Sequence, residues 1–284
     1  MFDTFLNGEF YRSAEAAVSV DDRGFLFGDG VYEVIRFYNG SFFELEPHLS
    51  RLARSAQKIS LLLPYSLQKI EKVCYELLGK SKIKNGKLYM QITRGAAPRT
   101  HQFPVQAEPT IMMKVSAVNE DELKEKQKGA TAITLPDDRW NHCNIKSINL
   151  LPNILAKQTA RSQGYHEAIF VHSEKITEGA SSNVFAVLHG KLVTAPASNR
   201  ILAGITRSVV IELARAAGIE VEERFLAKDE LYQASELFIT STIDEIIPIL
   251  SIDENPLNGA TVGRITGNLQ ELFQKKLSTL NKYS

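Results

Sequence analysis

Two Asn-Gly dipeptides, Asn7-Gly8 and Asn39-Gly40, constrain this chain more than any other local feature, because each separates two strand-like runs. Asparagine followed by glycine accepts the positive φ angles of a type I′ turn, which joins antiparallel strands through two residues. The second pair makes Val31 to Tyr38 and Phe42 to Leu45 the arms of a hairpin. Further on, Leu88, Met90 and Ile92 alternate with Tyr89, Gln91 and Thr93, the period of a half-buried strand, and Pro109 to Val118 reads as another. Two helices lie between. Pro47 opens one with the apolar stripe Leu49, Leu52, Ala53, Ala56 and Ile59. Ser66 caps the next, with Ile70, Val73, Cys74, Leu77 and Leu78 on one face.

A charged stretch poor in apolar residues, Asn119 to Gly129, has the composition of an interdomain connection. Beyond it the pattern predicts a strand at 131–135, a helix at 151–163 ended by Gly164, and a strand at 167–172. A hairpin around His189-Gly190 follows, then a helix at 205–217 ended by Gly218 and strands near 219–223, 236–241 and 246–252. The final helix, 261–280, has Val262, Ile265, Leu269, Leu272 and Phe273 as its stripe. Strands joined mostly by hairpins favour an α+β fold with mixed sheets and packed helices over a doubly wound sheet. The expected division is a smaller N-terminal α/β domain, 1–120, and a larger C-terminal domain, 121–284.

Thirty-three basic and thirty-three acidic residues cancel, so no overall field draws in nucleic acid or an anionic membrane. Two cysteines, Cys74 and Cys143, cannot alone form a disulfide framework or a zinc site. The apolar runs around Leu61-Leu62-Leu63 and Ile246-Ile247 are too short to span a bilayer, and Met1-Phe2-Asp3-Thr4 does not read as a secretory signal. A cytoplasmic protein without metal or membrane association is expected.

Polar residues collect in a few places. Lys146 lies in Arg139-Trp140-Asn141-His142-Cys143-Asn144-Ile145-Lys146-Ser147, and Glu178 in Thr177-Glu178-Gly179-Ala180-Ser181-Ser182-Asn183. A lysine amine can condense with an aldehyde, and a carboxylate can hold the protonated nitrogen of a pyridine ring. Asp22-Arg23-Gly24-Phe25-Leu26-Phe27-Gly28-Asp29-Gly30 reads as a constrained loop feeding a strand that carries Tyr32. Pro98-Arg99-Thr100-His101-Gln102-Phe103-Pro104 sets an arginine two residues from a histidine, a pairing suited to a carboxylate, although charged loops also simply face water. Gly204-Ile205-Thr206-Arg207 enters a helix and offers its N–H groups and the Thr206 hydroxyl to an anion, or Thr206 merely caps it. Thr240-Ser241-Thr242 ends a strand with three hydroxyls that can do the same or cap a turn.

In their order and spacing these segments, with Glu46-Pro47-His48-Leu49-Ser50-Arg51-Leu52, resemble the fold-type IV family of enzymes dependent on pyridoxal 5'-phosphate (PLP). Within that family the likeness is greatest to bacterial D-amino acid aminotransferases, through Thr93-Arg94-Gly95 and the 98–104 loop. The resemblance implies transamination between D-amino acids and 2-oxo acids, with Lys146 as the Schiff-base lysine and Glu178 as partner of the ring nitrogen. It implies that Arg51, Ile205, Thr206 and Thr242 hold the cofactor phosphate with Ser241 nearby, and that Leu202 packs against the ring. Tyr32, Arg99 and His101 would trap the substrate carboxylate, the latter two reaching over from the neighbouring subunit of a homodimer. Ala180 departs from the family pattern, which often carries serine there. An L-branched-chain aminotransferase, an aminodeoxychorismate lyase of the same fold, and an α+β protein whose lysine is incidental remain as alternatives.

Overall fold

The computed structural model describes residues 2–280. The chain divides into two units: residues up to Val118 together with Ile145–Asn149, and Asn119–Asn144 together with Leu150–Thr279. Lys146 therefore belongs with the first unit although it lies far along the chain.

The first unit is built on β1 (Thr4–Leu6), β2 (Glu9–Tyr11), β3 (Gly30–Tyr38), β4 (Ser41–Phe42), β5 (Gly86–Thr93) and β6 (Thr110–Ala117), with helices α1 (Arg23–Phe27), α2 (Leu45–Lys58) and α3 (Leu67–Ser81). Its strand order is β2-β1-β6-β5-β3-β4, and every recorded pairing is antiparallel. Both Asn-Gly turns take the expected form, with positive φ at Asn7, Gly8, Asn39 and Gly40. The second arm of the second hairpin is shorter than its sequence suggests. β4 stops at Phe42, Glu44 turns the chain at φ 54, and α2 begins at Leu45, so Pro47 falls inside the first turn, where its missing N–H has no intrahelical partner to lose. Leu49, Leu52 and Ala56 of α2 and the five apolar residues expected on α3 are buried against Val31, Ile35, Phe37, Leu88, Met90 and Ile92. Each fully buried Val, Leu, Ile, Met or Phe among them contributes about 1.5–3 kcal/mol by leaving water.

In the second unit the elements are α4 (Glu120–Gln127), β7 (Ala130–Pro136), α5 (Leu151–Ser162), β8 (Glu167–His172), β9 (Lys175–Gly179), β10 (Asn183–Leu188) and β11 (Lys191–Thr194). They continue with α6 (Ile205–Ala216), β12 (Val221–Glu223), β13 (Leu226–Ala227), α7 (Lys228–Gln233), β14 (Glu236–Ser241), β15 (Glu245–Ile252), β16 (Asn255–Pro256) and α8 (Arg264–Ser278). Among the described residues the strands form one sheet in the order β12-β11-β10-β14-β15-β7-β8-β9-β13, with β16 beside β15. Most pairs are antiparallel, but β7–β8, β7–β15 and β11–β12 are parallel, so the sheet is mixed.

The charged stretch expected to be a connection folds as α4, with Asn119 capping it and Leu123 buried. The final helix starts later than expected. Val262 precedes it and is exposed, and its buried face is Thr266, Leu269, Phe273 and Leu277. Among the described residues no helix is long and apolar enough to cross a membrane.

Candidate active site

The residues singled out in the sequence are divided between the two units. In the first unit, Lys146 is held by its backbone. Its N–H donates to Ser55 Oγ at 3.2 Å, and its carbonyl accepts the N–H of Tyr32 at 2.9 Å, while Val31 bridges Ser147. The peptide from Ile145 to Asn149 thus runs beside the start of β3, and the Lys146 ammonium stands 4.4 Å from the Tyr32 ring centroid. Tyr32 stacks on Tyr89 at 5.8 Å, and the Tyr89 hydroxyl donates to Gln91 Oε1 at 2.6 Å. Burial, with Tyr32 beside it, pushes the Tyr89 phenol up to about 12.

Arg51 sits on the α2 face that turns toward β3. Its Nε and Nη2 donate to Glu33 Oε1 and Oε2 at 2.7 and 2.8 Å, and His48 Nδ1 lies 2.8 Å from Glu33 Oε2. Burial alone would raise the Glu33 carboxyl, but Arg51 and His48 hold it down at about 2. Burial pulls His48 below its ordinary value in spite of that carboxylate. One edge of the Arg51 fork is therefore fixed by Glu33, which orients the arginine expected to grip phosphate.

Arg99 and His101 are exposed and meet the Phe27 ring, whereas Tyr32 meets Tyr89 and Lys146. The three residues expected to form one carboxylate trap thus have different ring neighbours within the chain.

In the second unit, Glu178 is buried at the centre of a hydrogen-bonded group. Oε1 accepts from Arg139 Nη1 at 2.6 Å, and Oε2 accepts from the Leu202 N–H at 2.9 Å and from Asn183 Nδ2 at 3.2 Å. Behind it, Arg139 forks onto Asp137 through Nε and Nη2 at 2.8 and 2.9 Å, and the Thr177 hydroxyl donates to Asp137 Oδ2 at 2.8 Å. Burial pushes the Glu178 carboxyl up to about 7 although Arg139 and the Leu202 N–H favour the charged form. A carboxylate has about four lone-pair sites, so with three donors in place there is room for one more. A cationic N–H donor fits that position best, because it would restore the charge that burial disfavours.

Asn183 links this carboxylate to the start of α6. Its Nδ2 also donates to the Leu202 carbonyl at 2.9 Å, and its Oδ1 lies where a Cβ on Gly204 would collide with it. Only glycine lets the helix begin this close. Gly204 caps α6 without a side-chain bond, so no side-chain cap takes up the first N–H groups, those of Ile205 and Thr206, which a helix start leaves without intrahelical partners and which suit an anion. The Thr206 hydroxyl is engaged elsewhere: it donates to the Ser241 carbonyl at 3.1 Å. Ser241 Oγ and Asp244 close the turn that contains Thr242. A carboxylate with room for one more donor and a helix start without a side-chain cap suit a protonated pyridine and a phosphate respectively. Ala180 lies in an apolar cluster with Ala156, Ala160, Ala168 and Phe170, which leaves it suited to its surroundings without a hydroxyl.

Glu33, Asp137, Arg139 and Asn183 are supporting groups that sequence reasoning missed. One signal was available: Glu33 shares the inward parity of Val31, Ile35 and Phe37, where a charge demands a partner.

Residues 30–252 match the sequence profile of the family described as amino-transferase class IV. The chain is similar to the D-alanine aminotransferase of Bacillus licheniformis, with 42% identity over 95% of each chain. It is 41% identical to the D-alanine aminotransferase of Staphylococcus aureus strain N315, over 97% of this chain and 98% of the relative. Among solved structures it is similar to the branched-chain amino acid aminotransferase from Escherichia coli, with TM-score 0.90, 27% identity, and 100% of this chain and 98% of the other covered. A second branched-chain amino acid aminotransferase, complexed with N-(5'-phosphopyridoxyl)-L-glutamate, gives a TM-score of 0.90 at 26% identity, covering 99% and 95%.

Proposed function

The chain belongs to the amino-transferase class IV family, and from that premise we propose that it moves an amino group between a D-amino acid, of the D-alanine or D-glutamate type, and a 2-oxo acid such as pyruvate or 2-oxoglutarate. The observation that carries this choice is the 41–42% identity to D-alanine aminotransferases over nearly the whole chain, against 26–27% to the branched-chain enzymes just described. The cofactor is pyridoxal 5'-phosphate.

When bound, that cofactor supplies an aldehyde for amine condensation and a ring that delocalises the electron pair left as a substrate Cα–H bond breaks. Lys146 Nζ would be the amine that holds the cofactor aldehyde, and it would serve as the base that takes the proton from the substrate Cα. Glu178, held by Arg139, Asn183 and the Leu202 N–H, would carry its negative charge with a protonated ring nitrogen beside it. Arg51 and the N–H groups of Ile205 and Thr206, with Thr242 and Ser241 in the adjoining turn, would hold the phosphate, and Leu202 would pack on the ring. Most of these contacts come from 121–284, which would be the cofactor-binding domain.

Tyr32, Arg99 and His101 would bind the substrate carboxylate. Handedness follows from their position: with the Cα–H bond directed at Lys146, exchanging the places of carboxylate and side chain exchanges the accepted enantiomer. Arg99 and His101, both exposed, would be delivered to the site from a second copy of the chain, in a homodimer. Exposed apolar side chains agree: Leu151, Ile154 and Leu155 are 65%, 59% and 59% exposed on one face of α5. The balanced charge and the two free cysteines, Cys74 and Cys143, suit the cytoplasm.

The test is a half-reaction without acceptor. D-alanine should release one pyruvate per active site and change the absorbance of the bound cofactor, while L-leucine should do neither. Turnover by L-leucine alone would favour the branched-chain alternative, and pyruvate from aminodeoxychorismate without an amino acceptor would favour the lyase.

A further inference from the structure

The stretch that precedes Tyr32 has no part in the chemistry described so far, yet it concentrates charge and aromatic surface beside the arginine–histidine loop. It folds as α1, whose Asp22 cap accepts the Gly24 N–H at 2.8 Å and whose end is turned by Gly28 at φ 68. The chain beyond Thr93 is stitched to it through the backbone. Arg23 N–H donates to the Gly95 carbonyl at 2.9 Å, Ala97 N–H to the Asp21 carbonyl at 3.2 Å, and Asp22 bridges Ala96.

Two side chains reach further, to the part of the loop that carries Arg99 and His101. Arg23 is buried, and its Nη1 stands 2.6 Å from the carbonyl of Thr100, the residue between the pair. Its Nε is fixed by Asp29 Oδ2 at 2.8 Å, and the same carboxylate takes Arg94 Nε and Nη2 at 2.8 and 3.0 Å. Arg94 in turn lies 3.7 Å from the centre of the Phe103 ring, two residues past His101. The second side chain is Phe27. Its ring receives the Arg99 guanidinium at 5.0 Å, the His101 ring edge-on at 5.7 Å, and Arg23 at 4.8 Å.

An exposed arginine samples many rotamers, and each must be given up when a carboxylate is gripped. An aromatic face that attracts the guanidinium removes part of that loss before substrate arrives. We propose that Phe27 and Arg23 are positioning residues for carboxylate recognition: the Phe27 ring and the Arg23–Thr100 hydrogen bond hold Arg99 and His101 in one arrangement in the absence of substrate. This rests on the proposed role of Arg99 and His101 in binding the substrate carboxylate.

The experiment follows the D-alanine half-reaction of the holoenzyme over a concentration series, separating the apparent dissociation constant from the limiting rate. Phe27→Leu should raise the dissociation constant about three- to ten-fold while the limiting rate stays within about two-fold, the split expected when binding alone is disturbed. Phe27→Tyr, which keeps the ring face, should behave as the parent. Arg23→Lys keeps a charge for Asp29 but lacks the fork needed to reach the Thr100 carbonyl as well, and should show the same split as Phe27→Leu. It answers the question if the leucine variant does not fold. Arg99→Ala is measured beside them. A large rise there with no change in Phe27→Leu or Arg23→Lys overturns the positioning role and leaves the carboxylate trap standing. No change in Arg99→Ala overturns both.

Discussion

Glu33 is flanked on its side of β3 by Val31, Ile35 and Phe37, and it is fully buried. A lone carboxylate there would be costly, so its value depends on the Arg51 fork and on His48. Replacing it as Glu33→Gln leaves Arg51 without its counter-charge, which should destabilise the fold by about 3–5 kcal/mol in a denaturant titration at neutral pH. The pH dependence has a definite sign. Its carboxyl sits at about 2 in the folded chain against an ordinary 4.5, so its stabilisation is complete above 4.5 and lost as pH falls toward 2. The parent should lose melting temperature across that window more steeply than Glu33→Gln, and parallel slopes would mean that Glu33 carries no such linkage. At this scale the sequence points to residues whose chemistry is unusual, such as Lys146 and Glu178, and is opaque where a charge only supports another. Asp137 and Arg139 become meaningful through contacts with residues about forty positions away, and Asn183 through Glu178 and Leu202, which no spacing rule encodes.

Among the elements, those with their own turn or cap chemistry follow the sequence best. The Asn7-Gly8 and Asn39-Gly40 turns and the helix after Ser66 form as their residues require, and β8 and β14 occupy 167–172 and 236–241 as expected. The short helix α1 stands where a loop is expected: Gly24 and Gly28 weaken its intrinsic preference, and its cap and contacts override them. β9 carries no turn signal at its start, since the chain reverses at Ser173 and Glu174 through two non-glycine residues at positive φ. The face of α5 bearing Leu151, Ile154 and Leu155 is apolar at helical spacing, yet exposed. If a second copy covers it, Ile154→Glu should shift the protein from dimer to monomer in light scattering, with far-ultraviolet circular dichroism unchanged. A variant that remains wholly dimeric would place the interface elsewhere.

For the molecule as a whole, the α+β class follows from the hairpins, whereas the parallel pairs β7–β8 and β11–β12 are invisible in the sequence because a parallel register leaves no local signature. The least visible feature is long-range: Ile145–Asn149 joins the first unit, so the peptide that carries Lys146 is positioned by Tyr32 and Ser55, 114 and 91 residues away. That placement gives the lysine a fixed backbone and an aromatic neighbour, and every step assigned to the enzyme depends on its amine. The most direct test is borohydride reduction of the holoenzyme followed by peptide mapping. The mass of the reduced cofactor should be found on Lys146 and be absent from Lys146→Ala; its recovery on another lysine, or on none, would contradict the assignment.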